Sequence, residues 1–375
     1  MSHKLLFVVN SSDFFLSHRL PIALAAQQAG YEVHVATAAG ESSRQIRDYG
    51  LFHHEIPISR SGQHPIRELA TAVSLYRLMH RLKPNLVHLV TIKPVLYGGM
   101  TARLVRVPAV VAAVSGLGTV FVTEGGRVGL LKRVISVLYR LALGHRNLVV
   151  IFQNQDDHQA LANIGAVKPP QARIIRGSGI TLADCPWEPE PEGSPVITMA
   201  ARLLRNKGVE EFIEAARLLA ERGVVVRFRL IGSRDTGNPT SVTEAQLAAW
   251  REEGLVELLG HRDDVPRQYA FSHMVALPSY YGEGLPKSLV EAAACGRAVI
   301  TTDMPGCRDA IEPGVTGLLV PPRNAMALAD AIQQLAEDPD KRQAMGRAGR
   351  GLAEREFDIE RIVGQHLAIY RELEA

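Results

Sequence analysis

A chain of 375 residues is too long for one ordinary core and implies two domains. Its 46% apolar and 22% charged residues mark a soluble globular chain. It has no uninterrupted apolar run of membrane-spanning length, and no signal-peptide cleavage region follows the opening Met-Ser-His-Lys-Leu-Leu-Phe. Cys185, Cys295 and Cys307 are an odd, scattered set without zinc or redox spacing, which fits reduced thiols in a cytoplasmic protein.

The first half alternates short apolar runs with amphipathic segments. Strands are expected at 5–10, 32–37, 86–90, 109–114 and 148–152, with helices at about 17–30 and 67–83. Strands alternating with helices imply a parallel sheet covered on both faces. Residues 177–195 break the rhythm with Gly177-Ser-Gly and the proline-rich acidic run Pro186-Trp-Glu-Pro-Glu-Pro-Glu-Gly-Ser-Pro. The pattern then restarts. Strands are expected at 196–200, 225–231, 256–259, 274–277 and 298–301, with helices at 209–222 and 358–373. This gives a first domain over 1–180, a linker over 181–195, a second domain over 196–355 and a terminal helix over 356–375. Both domains read as Rossmann-like, and ligands of such sheets bind beyond the carboxyl ends of the strands.

The net charge of +3 hides an asymmetry. Residues 1–185 carry 20 Lys/Arg against 10 Asp/Glu, whereas residues 186–375 carry 22 against 29. The basic excess peaks between Arg103 and Arg146, where Arg106, Arg127, Lys132, Arg133 and Arg140 lie among apolar residues with Glu124 as the one acid. Two readings of the stretch 126–141 stand side by side: a helix resting on an anionic membrane surface, or one packed on its own domain. Nucleic acid is not an expected partner, because no basic stretch is interleaved with aromatics.

Two motifs in the second half carry chemistry. Arg202 and Lys207 lie in Ala201-Arg-Leu-Leu-Arg-Asn-Lys-Gly, just after the 196–200 strand, where a diphosphate would sit. An arginine grips two phosphate oxygens at once and a lysine adds a mobile point charge. Together they can stabilise a departing diphosphate without a metal. Downstream, Glu283 and Glu291 lie eight residues apart in Pro278-Ser-Tyr-Tyr-Gly-Glu-Gly-Leu-Pro-Lys-Ser-Leu-Val-Glu-Ala-Ala. A glycine loop and a proline before an Ala/Leu-rich helix make an anion site. Eight residues is just over two helical turns, so the two acids stay roughly on one side and can hold different parts of one ligand.

This wording resembles the E-x7-E and GRLxxxKG motifs of family 4 retaining glycosyltransferases of the GT-B fold, with Ala201 where glycine is usual. Leu230-Ile-Gly-Ser-Arg, Gly260-His-Arg-Asp-Asp-Val-Pro, Thr302-Asp-Met-Pro-Gly and Thr316-Gly-Leu-Leu-Val-Pro-Pro also match, so the likeness is strong over 196–322 and only an outline before it. The resemblance implies an α/β protein with two Rossmann-like domains whose parallel sheets face a cleft, the last helix crossing back to the first domain. It implies transfer of a hexosyl or N-acetylhexosaminyl group from a nucleotide-diphosphate sugar, with uridine favoured, and no metal or other cofactor. It places Arg202 and Lys207 on the diphosphate, Glu283 on the donor sugar, Glu291 on the ribose, the backbone of Gly284, Leu285 and Pro286 over the diphosphate or sugar, and Val265 near the base.

In the first half, His18-Arg-Leu-Pro, Val90-Thr-Ile-Lys-Pro and Ser115-Gly-Leu-Gly-Thr are similar to enzymes that extend sugars on polyprenyl-diphosphate carriers. The implied setting is cell-surface polysaccharide or lipopolysaccharide synthesis by a cytoplasmic protein peripheral to the inner face of the plasma membrane. Candidate acceptor residues are His18, Arg19, His88, Lys93, Ser115 and Gly116, facing a glycan or a lipid-linked acceptor. Many relatives carry a histidine in the last of these loops, where this chain has Ser115, Gly116 and Thr119. Rival readings are a UDP-sugar hydrolase or epimerase of the same fold and a non-catalytic sugar-nucleotide-binding partner. An NAD-dependent reading is weak, since no G-x-G-x-x-G follows a first strand.

Overall fold

The computed structural model describes residues 3–59, 65–117 and 126–375, the side chains of residues 65 and 126–132 excepted. Thr119 and Glu124, and the side chains of Arg127 and Lys132, therefore lie outside the described residues. The chain divides into two units: 1–179 with 359–375, and 180–358.

In the first unit the strands are β1 (His3–Val8), β2 (Tyr31–Thr37), β3 (Phe52–Glu55), β4 (Leu86–Val90), β5 (Ala109–Val114), β6 (Leu148–Phe152) and β7 (Ala172–Ile174). They form one parallel sheet in the order β3-β2-β1-β4-β5-β6-β7. β4, β5 and β6 are buried along their whole length. Continuous burial follows from helices on both faces, and explains why these strands read as unbroken apolar runs. One face is covered by α1 (Ser12–His18), α2 (Leu20–Gln28), α3 (Ser43–Asp48) and the terminal helix. The other carries α4 (Pro65–Leu82), α5 (Gly99–Val105), α6 (Gly126–Ala142) and α7 (Gln155–Asn163).

The second unit has β8 (Val196–Ala200), β9 (Arg227–Ile231), β10 (Val256–Gly260), β11 (Met274–Leu277), β12 (Ala298–Thr302) and β13 (Gly317–Val320). Their order is β10-β9-β8-β11-β12-β13, again all parallel. Its helices are α8 (Val209–Glu221), α9 (Glu244–Glu253), α10 (Val265–Ala270), α11 (Lys287–Ala294), α12 (Ala325–Glu337) and α13 (Pro339–Leu352). The last helix, α14 (Ile359–Glu374), belongs to the first unit, where Ile362, Ile369 and Tyr370 are buried against the sheet. Exposing those three side chains would cost about 5 kcal/mol, enough to hold a helix that follows a whole second domain in sequence.

β3, β7 and β13 were not expected as strands. All three are sheet edges, short and incompletely buried, and β3 carries His53 and His54 in place of aliphatics. The single helix expected over 17–30 is two. Arg19 breaks it with φ −130°, closing α1 and opening α2.

Beneath α14 lies a polar cluster in an apolar setting. His88 is fully buried on β4, its Nδ1 2.6 Å from the Tyr370 hydroxyl, its ring between Phe7 and His366. Burial holds the His88 imidazole well below its usual pKa and pushes His366 down to about 3. Folded pKa values below the unfolded value mean that the unfolded chain takes up protons first as pH falls. Stability is therefore complete above about 6.5 and is lost on acidification towards 3. His366 alone should cost about 2 kcal/mol between pH 7 and 5. Urea titrations across that range should show the loss, and His366→Leu should reduce the slope. An unchanged slope would mean that the ring titrates normally in the folded protein.

Candidate active site

The sheet of the second unit reverses its winding between β8 and β11, which pair directly. Helices after these two strands depart in opposite directions, so the strands' carboxyl ends open a crevice. The loop 201–208 leaves β8 and the loop 278–286 leaves β11, so both charged motifs emerge at that one point.

Backbone contacts fuse the loops. Asn206 O accepts from Tyr280 N at 3.0 Å and lies 3.2 Å from Ser279 Oγ. Gly208 has φ +80°, and an added Cβ would lie 2.2 Å from Pro278 O. Gly306, with φ +81°, packs under the Glu283–Gly284 peptide, where a Cβ would fall 2.1 Å from Gly284 O. Thr302 Oγ1 donates to Ser279 O from the end of β12. At the neighbouring turn a Cβ on Gly232 would come within 1.9 Å of Ala201 O, so the close approach there falls on Gly232 and Ala201 keeps its methyl.

The side chains meet across this seam. Lys207 Nζ is paired with Glu283 Oε2, and both side chains are largely buried at 14% and 11% exposure. Ser279 Oγ donates to the other oxygen, Glu283 Oε1, at 2.6 Å. Two partners on two oxygens fix the carboxylate's plane. Cys307 lies alongside, its thiol pushed up to about 12 by burial first and by the Glu283 charge second. Arg202 is more exposed and its Nη1 reaches Asp235 Oδ2 at 2.8 Å. Each cation thus rests against an acid, an arrangement in which an anionic group could take the acid's place.

α11 begins behind Pro286, whose φ of −64° and ψ of 118° make it the cap residue. The helix's first N–H groups follow the buried Gly284-Leu285-Pro286 segment. Glu291 is mostly buried on this helix, 3.6 Å from Lys287 Nζ. Its carboxyl is raised above the usual range, because desolvation outweighs Lys287. Such a group binds neutral hydroxyls well and ionises more readily when a ligand donates to it. Val265 opens α10, half-buried and packed against the domain core.

The acceptor candidates do not gather in the same way. His18 ends α1, stacked on Phe14 at 4.1 Å and 2.7 Å from Ser17 Oγ. Arg19 and His88 depart from expectation, since both side chains are interior. Arg19 is 2% exposed, donates to His18 O at 3.0 Å and Ser115 Oγ at 3.4 Å, and is pushed down to about 10 by desolvation. His88 is 0% exposed beneath α14. The helix break turns Arg19 inward, and strand alternation turns His88 toward α14, so neither offers a surface charge. Lys93 is bonded to Glu68 at 2.6 Å and Ser59 at 3.2 Å, which neutralises it. Ser115 and the buried Gly116, with φ +98°, follow β5 into residues outside those described.

Two polar partners were not singled out from sequence. Ser279 orients Glu283, and its place four residues before that acid was a readable hint. Asp235 meets Arg202 from the loop after β9, and nothing in its local sequence pointed there. Among the described residues, no group of three or more His, Cys, Asp or Glu side chains is placed to hold a metal ion.

The family described as "Glycosyl transferases group 1" matches residues 186–352, and "Glycosyl transferase 4-like" matches residues 4–154. Among curated proteins, an N,N'-diacetylbacillosaminyl-diphospho-undecaprenol alpha-1,3-N-acetylgalactosaminyltransferase of Campylobacter jejuni is 30% identical over 95% of this chain and 97% of its own. A UDP-Gal:alpha-D-GlcNAc-diphosphoundecaprenol alpha-1,3-galactosyltransferase of Escherichia coli is 25% identical over 73% of this chain and 72% of its own. Among solved structures, Anabaena Alr3699/HepE in complex with UDP superimposes with a TM-score of 0.77 at 20% identity, covering 99% of this chain and 100% of that one. That likeness shows the two-domain GT-B fold.

The glycine contacts predict a graded response. Gly314 shares a positive φ, +77°, but has open space around its Cβ position. Gly314→Ala should cost about 1 kcal/mol, the backbone term alone. Gly306→Ala should cost clearly more and should weaken binding of a nucleoside diphosphate, because it must displace the Glu283–Gly284 peptide. Urea denaturation and calorimetric titration of the two variants test this. Equal costs with intact binding would remove Gly306 from the support of Glu283.

Proposed function

The chain belongs to the group 1 glycosyl transferases and is a glycosyltransferase, and from that premise we propose that it moves a sugar from UDP to a polyprenyl-diphosphate-linked acceptor with retention at the anomeric carbon. The observation that carries the reading is the convergence of the 201–208 and 278–286 loops at the β8/β11 switch point, locked by the Lys207–Glu283 pair. The acceptor class is supported by the printed activities of the Campylobacter and Escherichia relatives. The setting is cell-surface polysaccharide synthesis, at the membrane surface where such acceptors reside.

Arg202 and Lys207 take the diphosphate, exchanging Asp235 and Glu283 for phosphate oxygens. Their charge is worth most when the bond from anomeric carbon to phosphate oxygen breaks, since negative charge then grows on the leaving group. Glu283, held by Ser279, accepts from hydroxyls of the donor sugar, and Glu291 accepts from the ribose. The first N–H groups of α11 cover the diphosphate, and Val265 borders the base. Among the described residues, no carboxylate stands out as a nucleophile on the acceptor side. The acceptor hydroxyl therefore attacks on the face that UDP leaves, and the departing phosphate oxygen takes its proton. The two cations do the work of charge neutralisation, so no metal is required.

Glu283→Ala, Arg202→Ala and Lys207→Ala should each lower kcat by roughly two or more orders of magnitude, with the fold intact. Transfer from UDP-sugars to a polyprenyl-diphosphate-sugar acceptor should persist in EDTA. Near-native turnover in all three variants would overturn the site, and loss of transfer in EDTA would overturn the metal-free mechanism. Rapid acceptor-free conversion of the donor would instead favour a hydrolase or epimerase.

A further inference from the structure

The helical face α4–α6 of the first unit carries a charge pattern that the sugar-transfer site does not use. A cavity of about 420 Å³ opens where α5 and α6 end, lined by Arg103, Arg106 and Arg146 together with Val107, Gly144 and the buried His145. All three arginines are exposed and, among the described residues, no acidic side chain lines the cavity. Among the described residues, none of the three is in an ion pair, although ion pairs are common elsewhere in the chain. The Arg103 guanidinium lies across Gly144, where a Cβ would come within 2.8 Å of Nη1, and donates to Leu141 O. It is therefore held at the cavity while its remaining N–H groups stay available. Clustered guanidinium groups without a counter-charge form a site for phosphate oxygens.

Beside this cavity the surface is apolar. Leu104 on α5 is 72% exposed, and Val134, Val137 and Leu141 on α6 are 50%, 51% and 47% exposed. The spacing 134, 137, 141 sets the three along one outer stripe of α6. On the far side of α5, α4 leaves Ile66 and Leu69 exposed at 72% and 66%. A water-soluble oxyanion would need the arginines but not the leucines. A protein partner would need the leucines, but the cavity beside them is lined by arginines and suits a phosphate better than an apolar anchor. An anionic phospholipid needs both, with its phosphate in the cationic cavity and the apolar stripe entering the acyl boundary.

We propose that Arg103, Arg106 and Arg146 form a headgroup site for an anionic phospholipid, flanked by Leu104 and Leu141, that seats the first unit on the bilayer. The proposal rests on the reading above that the acceptor is membrane-borne, and it names the residues by which the protein reaches it. It also resolves the two readings that the basic 126–141 stretch left open. The inner face of α6, through Tyr139 and Ala142, packs on its own domain, and the outer face meets lipid.

Flotation with phosphatidylcholine vesicles, with and without phosphatidylglycerol, tests the site. The native protein should float with the anionic vesicles and release as salt approaches about 1 M, where the Debye length shrinks to about 3 Å. Replacing Arg103, Arg106 and Arg146 by Gln should weaken binding roughly 100-fold, at about fivefold per surface arginine. Leu104→Asn with Leu141→Asn should weaken it on the order of tenfold. Both variants should keep the native thermal shift with UDP and native transfer to a detergent-dispersed acceptor, which shows that they fold. Vesicle binding unchanged in the triple variant would overturn the proposal. So would a protein that ignores vesicles but is stabilised through these arginines by inorganic phosphate, which assigns the cavity to a soluble oxyanion. Intact vesicle binding without transfer to any polyprenyl-diphosphate acceptor would overturn the acceptor reading and leave the lipid site standing.

Discussion

The β8/β11 switch point is the constraint from which the proposed sugar-transfer site follows. Two neighbouring strands send their chains to opposite faces, and the loops they release would splay apart without something to bind them. The Lys207–Glu283 pair, the Asn206 carbonyl that accepts from Tyr280, and the glycine seats at 208 and 306 do that binding. A buried ion pair is a weak source of net stability, because desolvation offsets most of its attraction. Its value here is geometric: it sets a carboxylate and an ammonium at fixed positions with the ligand absent. The glycines supply the same rigidity through the backbone, since they bring peptide carbonyls closer than any Cβ permits.

In the proposed reading, the charges of the second unit are arranged to be exchanged. Arg202 rests on Asp235, Lys207 on Glu283, and Lys287 near Glu291. Acids beside the cations prevent a dry cluster of like charge before ligand arrives, and a diphosphate with several oxygens competes well for them. Glu291 sits at the other limit, where desolvation outweighs its cation. The acidic balance of this half is therefore compatible with an anion site, because the local pairing, not the net charge, decides what binds.

The first unit uses its polar groups differently. Arg19 and His88 are enclosed beneath His366 and Tyr370 of α14, and burial favours the neutral form of both imidazoles. Its net basic character is carried instead at the surface, where, among the described residues, Arg103, Arg106 and Arg146 form no ion pair. That division separates a core cluster, which makes stability depend on acid, from a face suited to an anionic layer.

The sequence by itself determined the layered α/β architecture, the restart after the proline-rich stretch and the donor motifs. Their signals are local: unbroken apolar runs of strand length, prolines at a helix start, and charged residues just past a strand. Edge strands β3 and β7 escaped because half-buried edges lack that apolar run, and Asp235 escaped because it reaches Arg202 only through the turn after β9. Tertiary structure alone decided which way Arg19 and His88 point, since both have the sequence of surface-capable polar residues and only the helix break and the packing of α14 turn them inward. It also decided that the two motifs, more than seventy residues apart, share one seam, because strand order is set by how the sheet winds and not by distance along the chain.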